Sequence, residues 1–390
     1  MSIRHDTALA VALGVVLVAA NVAFVSAEMG FVHGPEQVKE SDHTRYIAMA
    51  EGPDGYADRV RAHLPPFCYR LLTPWLAYQM TRSGIGIDAA FFTLSQGFSS
   101  LFLAALFLYM RALGLRREDA ALGVLLTALL PGAIRWYAYQ YWMTDPAALF
   151  LVTLGFLLMY KDRHGPLAAV GTLALAARET FLLLLPRLFL RVWRRQGGRA
   201  ALIQSVGVFI VPILVMLMIR TYIVAVPGPS LWHEMQRIVA LRGAQLLHDQ
   251  LYFVSVGSFG VLLAAAVLPS ARSLREWARR PDELVVVLAV YLSLLVASNT
   301  DRLLVYAVPV IVPVAMRSLR RLSDVSGLPF GAVALAAILV QEFFYVRTPF
   351  TGPQISNFQK FDLGVTLSAT AFWGAGALVW IRARRKKAPA

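Results

Sequence analysis

The sequence predicts an all-α polytopic membrane protein, and three observations carry that expectation. Of the 390 residues, 58% are hydrophobic. They fall in runs too numerous and too long for one soluble core, many near the roughly 20 apolar residues a helix needs to cross a bilayer. The Lys and Arg residues gather in the short stretches between runs, where they act as topology signals. In a soluble domain a formal charge of +14 would suggest nucleic acid. Here the clustering accounts for the charge, and no nucleic-acid partner is expected.

Taken in order, the predicted spans lie at roughly 7–28, 88–110, 120–135, 145–160, 201–225, 251–269, 284–298, 303–316, 328–346 and 363–381. The first run lacks a clean small-x-small cleavage site, so it reads as a retained helix and not a removed signal peptide. A long hydrophilic loop, 29–86, follows it. In this loop Ser41 or Asp42 can cap a short helix through Tyr46-Ile47-Ala48-Met49-Ala50, and Pro53-Asp54-Gly55 reads as a turn. From Phe67 to Met80, Leu71, Leu72, Trp75, Leu76 and Met80 recur at helical spacing, which predicts an interfacial amphipathic helix. The single cysteine, Cys68, permits no internal disulfide and reads as a packed small hydrophobe.

One stretch is ambiguous. Residues 166–190 are apolar except for Arg178-Glu179 in the middle and Arg187 near the end. They form either one span with a buried ion pair or two short helices meeting at Arg178-Glu179. With the N-terminus inside and two helices here, the loops that follow hold sixteen basic residues inside and five outside, as the positive-inside rule requires. One span inverts the bias. The two-helix reading gives about twelve membrane segments with both termini cytoplasmic, two of them well short of the roughly 20 residues of a full span. These are either tilted short spans or a re-entrant hairpin. No soluble domain or internal repeat is visible, so residues 1–390 read as one transmembrane domain.

With this topology most of the scarce charges fall on one face, which is how intramembrane sites are usually assembled. The acids there are Glu40, Asp42, Asp145, Glu179, Asp301 and Glu342. The cations are Arg45, Arg70, Arg135, Arg178, Arg302 and Arg347. An aromatic run, Trp136-Tyr137-Ala138-Tyr139-Gln140-Tyr141-Trp142, reads either as an interfacial belt or as a sugar-stacking surface. Adjacent opposite charges such as Arg178-Glu179 also fit simple salt-bridge glue between helix ends.

Glu40-Ser41-Asp42 after the first span resembles the Glu-x-Asp first-loop motif of the GT-C class of integral-membrane glycosyltransferases. Pro66-Phe67-Cys68-Tyr69-Arg70-Leu71-Leu72-Thr73-Pro74, Thr144-Asp145-Pro146, Ala177-Arg178-Glu179-Thr180 and Asn299-Thr300-Asp301-Arg302 resemble further stretches of its bacterial members. The resemblance implies a GT-C-like helical bundle in the bacterial inner membrane. Its activity would be inverting transfer of a sugar from a polyprenyl-phosphate-linked donor to a lipid-linked or cell-envelope glycan acceptor at the periplasmic face. Asp42 is then the first candidate for the base and Glu40 the second. Arg178, Arg302 and Arg70 become the donor-phosphate partners, because guanidinium matches phosphate bidentately. Asp145 resembles the second-loop acid of the class, which leaves room for a divalent cation (Mg or Mn) or for acceptor binding. His43 and Glu179 are candidate assistants. The chain departs from larger members in having no C-terminal soluble domain.

Two other readings stay open. A secondary transporter fits the segment number, but transporters place polar groups at broken helices near the midplane, often with an internal repeat. A non-catalytic GT-C-fold protein that binds lipid-linked glycan fits the same motifs.

Overall fold

The structure, a computed structural model, describes residues 3–28, 42–51, 56–61, 67–223, 231–242, 255–268, 277, 280–293, 300–343 and 369–381. Among these every regular element is helical. The chain is a helical membrane protein. Among the described residues four helices are long and apolar enough to cross a bilayer: His5–Ala27, Ile87–Ala112, Gly198–Tyr222 and Arg302–Ser326. Shorter apolar helices occupy Asp145–Tyr160, His164–Ala177, Phe330–Glu342 and Ala369–Ile381. The chain divides into two units, Met1–Tyr109 with Ile134–Glu234, and Met110–Ala133 with Met235–Ala390.

The first unit begins with α1 (Ile3–Glu28). Two short helices of the first loop follow, α2 (Asp42–Ala50) and α3 (Tyr56–Arg61). Tyr46, Met49 and Ala50 form the buried stripe of α2, the spacing of one helical face. The helix predicted over Phe67 to Met80 is interrupted. A 3₁₀ turn, Phe67–Tyr69, ends at Arg70, and α4 (Leu72–Arg82) starts beyond it. Its inward face is Thr73, Pro74 and Ala77, while Trp75 is exposed. The small residues let α4 sit close to its neighbours, so the larger apolar side chains stay nearer the surface. Helix α5 (Ile87–Ala112) completes this part. The next helix, α6 (Arg117–Ala128), belongs to the second unit.

The first unit resumes with α7 (Trp136–Tyr139) and α8 (Asp145–Tyr160). Pro146 in the first turn of α8 has no amide hydrogen to leave unbonded there, and Asp145 beside it suits the positive end of the helix dipole. Helix α9 (His164–Ala177) runs back along α8 and stops at Arg178, whose backbone is extended (φ −169°, ψ 149°). A 3₁₀ turn, Glu179–Leu183, leads into α10 (Leu184–Gln196) and then α11 (Gly198–Tyr222). The break is keyed by Phe181, which is fully buried. A Cβ on Gly155 of α8 would meet its ring at 2.9 Å, and a Cβ on Gly171 of α9 at 2.8 Å. The two glycines make the notch that the ring fills. Arg178 pairs with the start of α8, and Arg191 reaches Tyr160 and Asp162 at its end. The α9–α10 hairpin therefore returns to the end of α8 it left.

The second unit holds α6 with α12 (Leu231–Arg242, shared with the first), α13 (Ser255–Phe259), α14 (Val261–Ala266), α15 (Pro281–Ser293), α16 (Thr300–Leu304), α17 (Val308–Ser326), α18 (Phe330–Phe343) and α19 (Ala369–Ile381). Its centre is the run Arg302–Ser326, in which a 3₁₀ turn (Val305–Ala307) joins α16 to α17 and whose apolar stretch is 94% buried. Pro309 opens α17 and Gly327 ends it in the left-handed region (φ 75°), where glycine carries no steric cost. At this C-terminal end Arg320 is bonded to Asp119 and Glu118 of α6.

Candidate functional site

Four of the charges predicted to share one face, Asp145, Arg178, Glu179 and Arg70, come together in the first unit at the N-terminal end of α8. Asp145 is completely buried, and its carboxylate is bonded by the Arg178 guanidinium. Arg178 reaches it because the chain turns extended at that residue instead of continuing α9. The next residue, Glu179, starts the 3₁₀ turn and stays partly exposed. Its Oε1 lies 3.2 Å from Nη2 of Arg220, at the end of α11. The Arg220 guanidinium also sits over the Tyr69 ring, 5.0 Å from its centroid, a favourable cation–π placement.

Arg70 closes the group from the first loop. It lies where the 3₁₀ turn gives way to α4, is 9% exposed, and its Nη1 donates to the Tyr46 hydroxyl at 2.9 Å. Glu179 lies at the tip of the hairpin, between the two helical arms. Burial pushes its carboxyl upward, but Arg70, its own backbone, Arg178 and Arg220 outweigh that and hold it below the ordinary carboxylate value. The adjacent Arg178, together with Arg70 from the first loop and Arg220 from the end of α11, thus acts on one carboxylate. Within this cluster three cations face two acids, an excess of one positive charge that suits an anion.

The remaining predicted residues divide by location. Asp42 and His43 form the first turn of α2, with side chains outside the described residues. Asp42 stands one helical turn before Tyr46, the partner of Arg70. Glu40 lies outside the described residues. Arg302 is buried at the start of the long helix of the second unit, where about 36 Å of helix separates it from Ser326. Asp145 and Glu179, the described members of the proposed metal- or acceptor-assisting set, already have guanidinium partners. Among the described residues no group of three or more His, Cys, Asp or Glu side chains could hold a metal ion.

No family model matches the chain, and no curated protein matches it in sequence.

The aromatic run does more packing than a surface belt would. Tyr137, Tyr141 and Trp142 are buried, Trp142 Nε1 donates to Asp88 at 3.1 Å, and Ser95 and Gln96 both donate to the Tyr137 carbonyl. With Tyr46, Met49, Cys68, Ala77 and Phe91, Tyr141 and Trp142 form a small core beneath the first loop. Its rings turn inward because the loop helices cover them. Burial pushes the Cys68 thiol up to about 11, which keeps it protonated and inert near neutral pH. Tyr46, Tyr69 and Arg220 escape the sequence reading. Of these only Arg220, a charge at the end of an otherwise apolar span, carries a signal that could have found it.

Proposed function

We propose that this protein is a membrane glycosyltransferase. It moves a sugar from a polyprenyl-phosphate-linked donor to a lipid-linked or cell-envelope glycan acceptor, with inversion, at the end where Asp145 meets Arg178. The observation that carries this reading is the gathering of Arg70, Arg178 and Arg220 around Glu179, joined through Tyr46 to the helix that begins at Asp42. The basic stretch at 191–199 assigns the opposite end of α8 to the cytoplasm. The cluster then faces the periplasm of a bacterial inner membrane, in a bundle of about twelve segments with cytoplasmic termini.

In this mechanism Asp42 takes the proton of the acceptor hydroxyl as its oxygen attacks the anomeric carbon. The new C–O bond forms as the anomeric bond to phosphate breaks. The bonding pair leaves on the lipid phosphate, whose growing charge is met by preorganised guanidiniums. Arg70 and Arg220 supply that charge. Arg178 is anchored by Asp145, and Glu179 spaces the arginines. Glu40 and His43 flank the base and orient the acceptor.

The test is release of free polyprenyl phosphate from a panel of polyprenyl-phosphate-linked hexoses and pentoses by the purified Asp42→Asn variant. A base at Asp42 requires a fall of roughly 10²–10⁴-fold with donor binding kept. If Asp42 serves only in the first turn of α2, where its charge is worth about 0.3–1 kcal/mol to the helix, turnover of the folded Asp42→Asn protein stays near normal; that result removes the assignment. The pairing of Arg178 and Arg220 with carboxylates also favours a second reading, a non-catalytic glycolipid-binding protein. Donor binding without release by the wild-type protein would support it.

A further inference from the structure

Helices α10 and α11 border a groove of about 570 Å³, a size that suits small ligands. Its walls are apolar, with Phe189 and Leu190 on one side and Leu202, Val206 and Ile210 on the other. Leu202 is 59% and Val206 50% exposed without a surrounding bilayer, so the space is a groove open toward lipid. Ser205 is the polar group in the wall. It is 4% exposed, and its hydroxyl has no hydrogen-bond partner.

One end of the groove is strongly basic. Arg194 stands one turn beyond Leu190, and Arg199 one turn before Leu202, so both extend the groove-lining faces. Arg195 is 3.3 Å from Asp162 and still 55% exposed, and Arg191 reaches the same acid. The first turn of α11 has no side-chain cap, and its free amides favour a negative group. Basic pockets between membrane helices are suited to anionic lipid headgroups. Ser205 lies about 10 Å along α11 from this end, deeper in the groove than the arginines.

We infer that this groove holds one chain of an anionic glycerophospholipid, with its phosphate at Arg194 and Arg199 and its acyl chain running along the groove past Ser205. The site is separate from the Asp145–Arg178 cluster and independent of glycosyl transfer. It is tested by native mass spectrometry of the full chain, purified in detergent with equimolar phosphatidylglycerol and phosphatidylcholine of matched chains. The wild type should retain phosphatidylglycerol in preference to phosphatidylcholine. Each of Arg194→Gln and Arg199→Gln should reduce that preference about fivefold. Leu202→Trp, at an exposed position that tolerates a larger ring, should abolish retention of both lipids. Soluble glycerol phosphate should not displace the bound lipid. Equal retention of the two lipids by the wild type, an unchanged preference in the double Arg194→Gln/Arg199→Gln variant, or displacement by glycerol phosphate would overturn the inference.

Discussion

The two ends of α8 carry the same kind of ion pair in opposite surroundings. At the N-terminal end Asp145 is 0% and Arg178 8% exposed. About 24 Å away, Asp162 is 55% exposed and shared by Arg191 and Arg195, the latter 55% exposed. Asp162 also takes the left-handed backbone (φ 51°) of the turn from α8 to α9, which Asp tolerates better than most residues. An exposed pair of this kind is worth about 0–1 kcal/mol. A buried one stabilises little against an apolar substitute, but losing one partner strands a charge and costs about 3–5 kcal/mol. The Asp162 end therefore closes a turn and marks sidedness. The Asp145 end fixes a guanidinium in a low-dielectric setting, with Arg70 and Arg220 arranged beside it.

The largest way to break this contrast is Arg178→Ala, which should cost about 3–5 kcal/mol and be read as a large loss of thermal stability in detergent. The double variant Asp145→Leu/Arg178→Met removes both charges and should recover most of that stability without recovering turnover. If the single variant is as stable as wild type, the pair is not the anchor described. A smaller effect comes from pH. Because the Glu179 carboxyl is held below its ordinary value of 4.5, its contribution is fully present above that pH. It is lost as pH falls through the lower folded value. Thermal unfolding followed from pH 6 down to pH 3 should show an acid loss that Glu179→Gln removes; an identical profile in both proteins would contradict the arginine cluster. The smallest effect is expected of Arg195→Gln, at most about 1 kcal/mol by the same unfolding measurement.

Much of this was legible in the sequence, for identifiable reasons. Arg178-Glu179 interrupts an apolar stretch, and the basic bias chose a break there. The structure places an extended residue and a 3₁₀ turn at that point. The helix through Tyr46–Ala50 was legible from its cap, but not which of its residues are buried. The partner of Arg178 was not legible, because the sequence favours its neighbour Glu179, whereas the extended backbone turns Arg178 toward Asp145, 33 positions earlier. The spacing of Trp75 and Leu76 marked an amphipathic interfacial helix, but did not show that Thr73, Pro74 and Ala77 are the residues of α4 that pack inward. The Phe181 notch depends on two glycines on different helices, a tertiary fact with no local signature. The number of membrane segments and the side of the membrane remain expectations carried by charge.

The central claim is that the Asp145–Arg178 end of α8 is the working end and the Asp162 end is not. Steady-state turnover of a polyprenyl-phosphate-linked sugar tests it most directly, with Arg220→Gln and Arg195→Gln prepared side by side. Loss of a charge-assisted bond to phosphate costs about 1.5–3 kcal/mol, so Arg220→Gln should lower kcat/KM for the donor by about tenfold or more. Arg195→Gln should leave it unchanged. Indistinguishable kinetics in the two variants, or a loss confined to Arg195→Gln, would contradict it.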